Sequence, residues 1–459
     1  MDRPSTAGRG PRAVCSLFGL VLLAACAPAA QHYVRVEDGL ARSQFADADR
    51  LVEEHARQYG RKNEVLYGLD RAMTLHYAGR YEESNRFLDR AERLIDDLFT
   101  KSVTAETSAM LSNDLTLPYE GEDFETVLIN VVAALNYVLL NQWDDALVEA
   151  RKVDHKLNVI NNRYDKKNVY KEDAFARYLS GILYEGKGEL NDAFIAYRKA
   201  YDTYQTYLEQ YGTPLPPTLP ADLLRVTDAL GLLEEHEHYR ELFPDTTWTS
   251  ERDFRTQAQV LVISYDGLAP VKVNEFVDAP IPDGSKGIYI LRVAFPKFVP
   301  RPTGLTGADV HVVDETGAVA SQRTFLVEDV TAIAQKNLAD RIGRISAKAI
   351  ARATAKYAAT RAAEHKASRS RGDGTGAVVG LLGNLYSIVT EQADTRSWRT
   401  LPGAIRMARV AVPPGRYTVE VVTSGSGAAP RTTASQDVAL EAGRTFVMAQ
   451  RVVGPVTSH

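Results

Sequence analysis

Across residues 40–241 apolar side chains recur at intervals of three and four, the period of helices that bury a single stripe. Beyond Pro244 the texture changes to alternation, the period of strands. The first stretch therefore predicts a helical array and the second a sheet. Strands are expected over 258–265, 287–295, 309–313, 319–327, 405–412, 417–423, 436–440 and 445–452. Pro413-Pro414-Gly415 and Glu441-Ala442-Gly443 supply tight turns among the last four, so the region reads as an antiparallel sandwich. It is interrupted, because residues 328–368 are rich in Ala, Arg and Lys and nearly free of helix breakers, which predicts one long or two broken helices. Ile333, Leu338, Ile342, Ile345, Ala349, Ala353 and Tyr357 mark its apolar face. A Gly/Ser-rich break at 369–376 leads to a second, apolar helix over 377–389. The expected fold class is α+β: an N-terminal all-helical repeat array, then an antiparallel β-sandwich-like domain with a helical insertion.

Within the helical stretch three hairpins share one set of offsets. The first carries Ala72, Leu75, Gly79, Tyr81, Ser84, Leu88 and Ala91; the second Ala134, Tyr137, Asn141, Trp143, Ala146, Ala150 and Val153; the third Gly181, Tyr184, Gly188, Leu190, Ala193, Tyr197 and Ala200. A small residue, an aromatic or Leu, a turn residue and a second small residue in that order resemble the tetratricopeptide repeat, in which small side chains let two helices approach closely. Ala134 lies 62 residues after Ala72 and Gly181 lies 47 after Ala134, against about 34 in the family, so inserted segments must separate the repeats. By this resemblance the groove-facing positions are Leu66, Leu69, Met73 and His76, then Leu128, Val131, Leu135 and Val138, then Phe175, Tyr178, Ile182 and Glu185. Such an apolar surface needs a cover, either flanking helices of this chain or a partner's helix or peptide. Leu69, His76, Val131, Leu135, Phe175, Tyr178 and Glu185 are the candidate partner-binding residues. Four prolines within residues 214–220 end the third hairpin, and one further helix over 221–235 is expected to cap the array.

The beginning of the chain changes where this body is expected to live. A basic stretch precedes an apolar run over 13–23, which is too short for a permanent span, and Leu23-Ala24-Ala25-Cys26 follows directly. That tetrapeptide resembles a bacterial lipobox, in which the Cys thiol is acylated and becomes the first residue. Two or three acyl chains hold a water-soluble body on a membrane. A soluble secreted protein cut elsewhere in the leader is the alternative. Ala27, by resemblance to enterobacterial sorting signals, favours the outer membrane of a Gram-negative cell envelope, with the body in the periplasm or at the surface. The expected organisation is a signal peptide over 1–25, a tether over 26–37, the repeat domain over 38–244, the first part of the β domain over 245–327, the helical insertion over 328–392 and the rest of the β domain over 393–459. The other greasy stretches, 127–140 and 377–389, are short and interrupted by Asn.

Charge narrows the partners. With 54 Lys and Arg against 59 Asp and Glu the chain carries −5, which offers no general attraction for nucleic acid. Residues 331–371 are the exception, with ten Lys or Arg against Asp340 and Glu364. That basic helix is expected either to contact anionic lipid headgroups, glycan strands or an acidic partner, or to pair with acidic surface of its own repeat array.

Candidate chemistry is sparse. No nucleophile elbow, His-Glu-x-x-His or Walker loop occurs, and only Cys15 and Cys26 are present, so the expectation is a protein that is not an enzyme and holds no cofactor and no metal. Gly374-Thr-Gly-Ala-Val-Val-Gly380 follows a basic helix instead of a strand, which argues against a phosphate loop and for close helix packing through Gly380 and Gly383. Glu234-Glu-His-Glu-His-Tyr239 places two His at a spacing that shares a face only on a strand, so it reads as a solvated helix end. Glu122 and Asp123 in Tyr119-Glu-Gly-Glu-Asp-Phe124 are positioned to cap the next helix, or to meet a partner or cation. In Ala393-Asp-Thr-Arg-Ser-Trp-Arg399 an Asp394 to Arg396 pair over Trp398 is expected to fix the re-entry into the sandwich.

The runs 119–130 and 145–151, with 393–398 and Leu401-Pro402, resemble a family of bacterial lipoproteins with tetratricopeptide-like repeats that has no established activity. The resemblance covers most of the mature chain and implies location and architecture; it carries over no catalytic residue. The expected function is an outer-membrane-anchored, non-enzymatic scaffold or assembly factor that meets envelope proteins. The alternative is a cell-wall-associated enzyme or an activator of a peptidoglycan-acting enzyme.

Overall fold

The repeat hairpins are built on one turn. Helices α4 (Glu64–Tyr77) and α5 (Tyr81–Ala109), α6 (Asp123–Leu139) and α7 (Trp143–Arg163), and α8 (Ala174–Lys187) and α9 (Leu190–Tyr211) form the three expected pairs. Gly79, Asn141 and Gly188 all adopt positive φ, at 74°, 59° and 81°. After each, the next amide bonds back to the carbonyl of Leu75, Tyr137 or Tyr184 at 2.8–2.9 Å, so every first helix ends by the same left-handed closure. Where the repeat requires a small residue the reason is contact: a Cβ on Gly181 would stand 2.3 Å from the Tyr197 ring. Tyr197 donates its hydroxyl to Glu185 and has no room to retreat. Gly181→Ala is expected to lower stability by about 2–3 kcal/mol through overpacking; an unchanged denaturant midpoint would contradict this packing.

The computed structural model describes residues 27–109, 115, 117–163, 170, 172–282, 288–371, 373–425 and 428–454; Cys26 and the leader 1–25 lie outside the described residues. Two expectations about the array need correction. The tether expected over 26–37 is helix α1 (Ala27–Ala41), whose Tyr33, Val36 and Leu40 are buried with Ala48 and Val52 of α2 (Phe45–Glu54) and with Tyr59 of the short α3 (Ala56–Tyr59). The spacing of those three residues gives a helical stripe, so the chain is folded from Ala27 onward. The single capping helix is a fourth hairpin, α10 (Leu219–Leu230) and α11 (Leu233–Leu242), broken at Gly231 with φ 66°. The one-turn helix α12 (Glu251–Phe254) leads into the sheets.

The β region contains β1 (Ala258–Asp266), β2 (Val271–Pro282), β3 (Ile288–Val299), β4 (Leu305–Asp314), β5 (Gly317–Arg323), β6 (Phe325–Glu328), β7 (Ala404–Val412), β8 (Gly415–Gly425), β9 (Ala428–Leu440) and β10 (Thr445–Val452). One sheet has the order β10-β1-β7-β6 and a second the order β5-β4-β8-β9. They face each other through Val260, Val262, Val310, Val312, Ala408, Val410, Val419 and Val421. The sandwich is not wholly antiparallel, because β1 and β10 pair parallel from Gln259 opposite Thr445 to Asp266 opposite Val452. The segment 319–327 divides at Thr324 between the two sheets, where its amide and hydroxyl both bind the Ala308 backbone. Strand β2, absent from the sequence reading, pairs with β3 in a separate ribbon.

That ribbon lies on the insertion. The basic segment is one unbroken helix, α13 (Val330–Arg371), followed by α14 (Asp373–Thr390). Val293 of β3 is buried with Ala349 and Ala353 of α13, and Tyr289 meets Tyr357 edge-on at 4.6 Å.

Candidate functional site

All nine residues of β1 are buried, which requires cover on both faces of its sheet. Val260 and Val262 face the second sheet, while Leu261, Ile263 and Tyr265, with Ile405 and Met407 of β7, share a core with the repeat helices. The groove is therefore filled by the chain's own sheet. Leu69, Val131, Leu135 and Phe175 are buried in that core, so their assignment to an external partner is corrected; the cover is the chain's own, from the sheet together with Val330, Ile333, Ala334 and Leu338 at the start of α13. His76 is also buried, bonded through Nδ1 to Asn136 Oδ1 at 2.6 Å and set edge-on to Tyr265 at 5.0 Å. Burial pushes its pKa down to about 4, so it stays neutral at ordinary pH.

Tyr178 and Glu185 belong to a buried charge cluster at the third repeat, not to a partner surface. Glu185 Oε1 accepts from Arg225 Nη2 at 2.5 Å and its Oε2 from Arg409 Nη2 at 2.5 Å. Asp222 Oδ1 accepts from the same two guanidiniums at 2.5 and 2.9 Å, and Tyr178 donates to Asp222 Oδ2 at 2.7 Å. Phe254 lies under both arginines, 3.9 Å from Arg225 and 5.1 Å from Arg409. Burial alone would raise the Glu185 pKa, but the Arg225 and Arg409 charges outweigh it and hold the carboxyl below its usual range. Glu185 and Asp222 balance the two guanidiniums, and Glu251, 3.7 Å from Arg225, is neutralised by Arg255 at 2.7 Å, so the cluster ties α8 and α10 to β7 without leaving a bare charge.

At the other end of the seam the two distinctive segments of the sequence meet. Arg396 is paired bidentately with Asp394 at 2.6 and 2.9 Å, stacks over Tyr119 at 5.2 Å and donates to the Leu117 carbonyl at 3.0 Å. Trp398 is buried and its amide donates to Glu125 Oε1 at 2.7 Å. Glu125 also accepts from the Glu122 amide at 3.0 Å and from the Tyr119 hydroxyl at 2.5 Å. Burial pushes its pKa up to about 7. Glu122 turns its own carboxylate to Lys272 of β2 and Arg341 of α13. Between these elements lies a cleft of about 290 Å³ lined by Lys272, Arg341, Lys348, Arg352 and Arg396 against Glu120, Glu122 and Asp394. Much of the basic helix is thus neutralised inside the molecule: Arg341 by Glu122 and Asp123, Arg352 and Lys356 by Glu391, and Arg361 by Glu364.

Several of these residues escaped the sequence reading. Asp222, Arg225, Arg409 and Lys272 are charged residues within apolar helix or strand faces, and an Arg in register with Ile405 and Met407 was the available signal. Among the described residues no three potential ligands come together to hold a metal ion. His236 of the 234–239 segment instead contacts Thr227 and Trp248.

No family model matches the chain, and no curated protein does. Among solved structures, the chain is similar to aspartyl phosphate phosphatase F from Bacillus subtilis at 12% identity and a TM-score of 0.32, over 46% of this chain and 48% of that one. It is similar to BtubC from P. vanneervenii at 15% identity and a TM-score of 0.32, over 51% and 91%. A Podosopora anserina kinesin light chain protein with nearly identical TPR-like repeats matches at 14% identity and a TM-score of 0.30, over 47% and 92%. The chain spans about half the length of the phosphatase. TM-scores this low leave the repeat description resting on the chain's own hairpins and turns.

Proposed function

We propose that this protein is a lipid-anchored scaffold of a Gram-negative cell envelope, held at the outer membrane through Cys26, which positions envelope proteins and performs no catalysis of its own. One observation carries the reading: the groove through which repeat arrays take up helices and peptides is occupied by the chain's own sheet and clasped by buried charge. The array then serves as a rigid frame, and partners meet its outer surfaces. Because α1 begins at Ala27 and is packed into the body within a few residues, acylation of Cys26 holds that body against the bilayer with almost no tether.

Mass spectrometry of the mature protein is expected to give an acylated amino terminus at Cys26, and Cys26→Ser is expected to move most of the protein from the envelope to the soluble fraction. An unmodified terminus, with Cys26→Ser equally envelope-bound, overturns the anchor. Cross-linking in the native envelope that recovers no protein neighbour for the anchored chain overturns the scaffold.

A further inference from the structure

Where the first hairpin meets the sheet, a cavity of about 210 Å³ lies between Phe45 at the start of α2, His76 and Tyr77 at the end of α4, Tyr81 at the start of α5, and Tyr265 and Arg451 of the strands. Tyr265 and Arg451 stand opposite each other in the parallel pairing of β1 with β10. Array and sheet each supply part of the wall, so the site forms only when the sheet seats in the groove. The rings make one connected surface: between centroids, Phe45 lies 5.9 Å from Tyr77, Tyr77 lies 5.7 Å from Tyr265, Tyr265 lies 5.0 Å from His76, and His76 lies 5.6 Å from Tyr81.

The charge in that wall is uncompensated. Arg451 is 6% exposed, with its guanidinium 5.0 Å from the centre of the Tyr77 ring. Its Nη1 donates to the Tyr265 and Val452 carbonyls at 2.8 and 3.2 Å, while Nε and Nη2 are buried without a hydrogen-bond partner. Arg451 forms no ion pair among the described residues. Asp266, the carboxylate whose charge reaches it, is held by Arg406 at 3.2 Å and by the Ser264 hydroxyl at 2.6 Å. The contrast with the third repeat is direct: carboxylates raise the pKa of buried Arg225 and Arg409, whereas burial pushes that of Arg451 down. A guanidinium remains protonated even so, and a buried cation is costly until an anion meets it. The Tyr265 hydroxyl is a second buried donor without a partner in the same wall. Among the described residues lining the cavity no other carries charge, since His76 is neutral, so the site suits a single negative charge. The rings suit a flat apolar body. At about 210 Å³ the cavity is smaller than the roughly 300 Å³ at which pockets for drug-sized ligands begin, so that body is small.

We infer that this cavity binds a small monocarboxylate bearing an aromatic group, with the carboxylate on Arg451 and the aromatic group among the rings of Tyr77, Tyr81 and Tyr265. The carboxylate is that of a free acid or of an aromatic residue ending a peptide. The inference needs neither the lipid anchor nor the scaffold role. Isothermal titration of the full chain with 3-phenylpropanoate is expected to give a dissociation constant below about 1 mM. The uncharged 3-phenylpropanamide should bind about tenfold or more weakly, and Arg451→Met should weaken binding of the acid by a similar factor. Ala449 lines the cavity two residues before Arg451, on the same face of β10. Ala449→Phe therefore fills the space while keeping the guanidinium, and should abolish binding; if Arg451→Met does not fold, this variant and the amide decide. A tetrapeptide ending in phenylalanine with a free carboxylate separates the sources: binding about tenfold or more tighter than the acid assigns the site to a peptide end, and anything weaker assigns it to a free acid. The inference is overturned if 3-phenylpropanoate and the peptide both fail to bind, or if either binds both variants as it binds the parent. It is equally overturned if the amide or inorganic phosphate binds as tightly as the acid, because then the charge or the rings select nothing.

Discussion

Arg409→Met is expected to lower the unfolding free energy by about 3–5 kcal/mol, the range for removing one partner of a buried ion pair. Arg409 comes from the sheet and meets Glu185 and Asp222 from the array at 2.5 and 2.9 Å, so its loss leaves two buried carboxylates facing Arg225 alone. The uncompensated charge, more than the lost bonds, carries the cost. A second substitution separates the two contributions: Glu185→Gln added to Arg409→Met restores the balance of one carboxylate against one guanidinium and is expected to recover about half of the loss. Urea unfolding of the parent, single and double variants reads this directly. A loss below about 1 kcal/mol for Arg409→Met, or no recovery in the double variant, would mean that apolar contact alone holds the sheet in the groove.

The same cluster explains which parts of the molecule were legible in the sequence. Arg409 and its two carboxylates are 224 and 187 residues apart, and no local pattern joins them. The three hairpins were legible because a small residue, a turn residue and an aromatic repeat at fixed offsets within about 20 positions of one another. The fourth pair shares the turn at Gly231 but places Leu224 where the others have Ala or Gly, and so reads as one helix. The destination of the groove was written less plainly. Strands β1 and β7 are nearly continuous apolar runs instead of strict alternations, the mark of a sheet covered on both faces, and the groove is the surface that supplies the second cover. The parallel pairing of β1 with β10 joins segments at opposite ends of the β region, beyond the reach of any turn signal. Asp394, Arg396 and Trp398 were legible as a local constellation, whereas their contacts with Tyr119 and Glu125 arise only when the array folds against them.

Asp70→Asn is expected to gain up to about 3 kcal/mol of stability relative to the parent as pH rises from about 4 to about 8. Asp70 is fully buried in α4 and bonded only by hydroxyls: Tyr33 at 2.8 Å, Tyr59 at 2.9 Å and Thr400 at 2.9 Å. Burial pushes its pKa from 3.8 up to about 6, and the three hydroxyl bonds offset only part of that rise. Since the folded value lies above the unfolded one, the carboxyl's contribution to stability is fully present below pH 3.8 and is lost as pH rises through about 6. An Asn side chain keeps the shape without the charge. Its Oδ1 still accepts from Thr400 and its Nδ2 donates to the Tyr33 and Tyr59 hydroxyl oxygens; one of those hydroxyls can pass its proton to the other, so a single displaced proton costs about 1 kcal/mol at every pH and leaves the pH-dependent gain intact. Glu125, raised to about 7 by the same burial, adds a slope of the same sign that the Asp70 variant leaves in place. Urea unfolding across about pH 4 to pH 8 should therefore give a flatter, not a flat, profile for Asp70→Asn. If the variant is instead weaker than the parent at neutral pH, the three hydroxyls are serving an ionised carboxylate, and the bond from Thr400 becomes an electrostatic tie between the array and the returning chain.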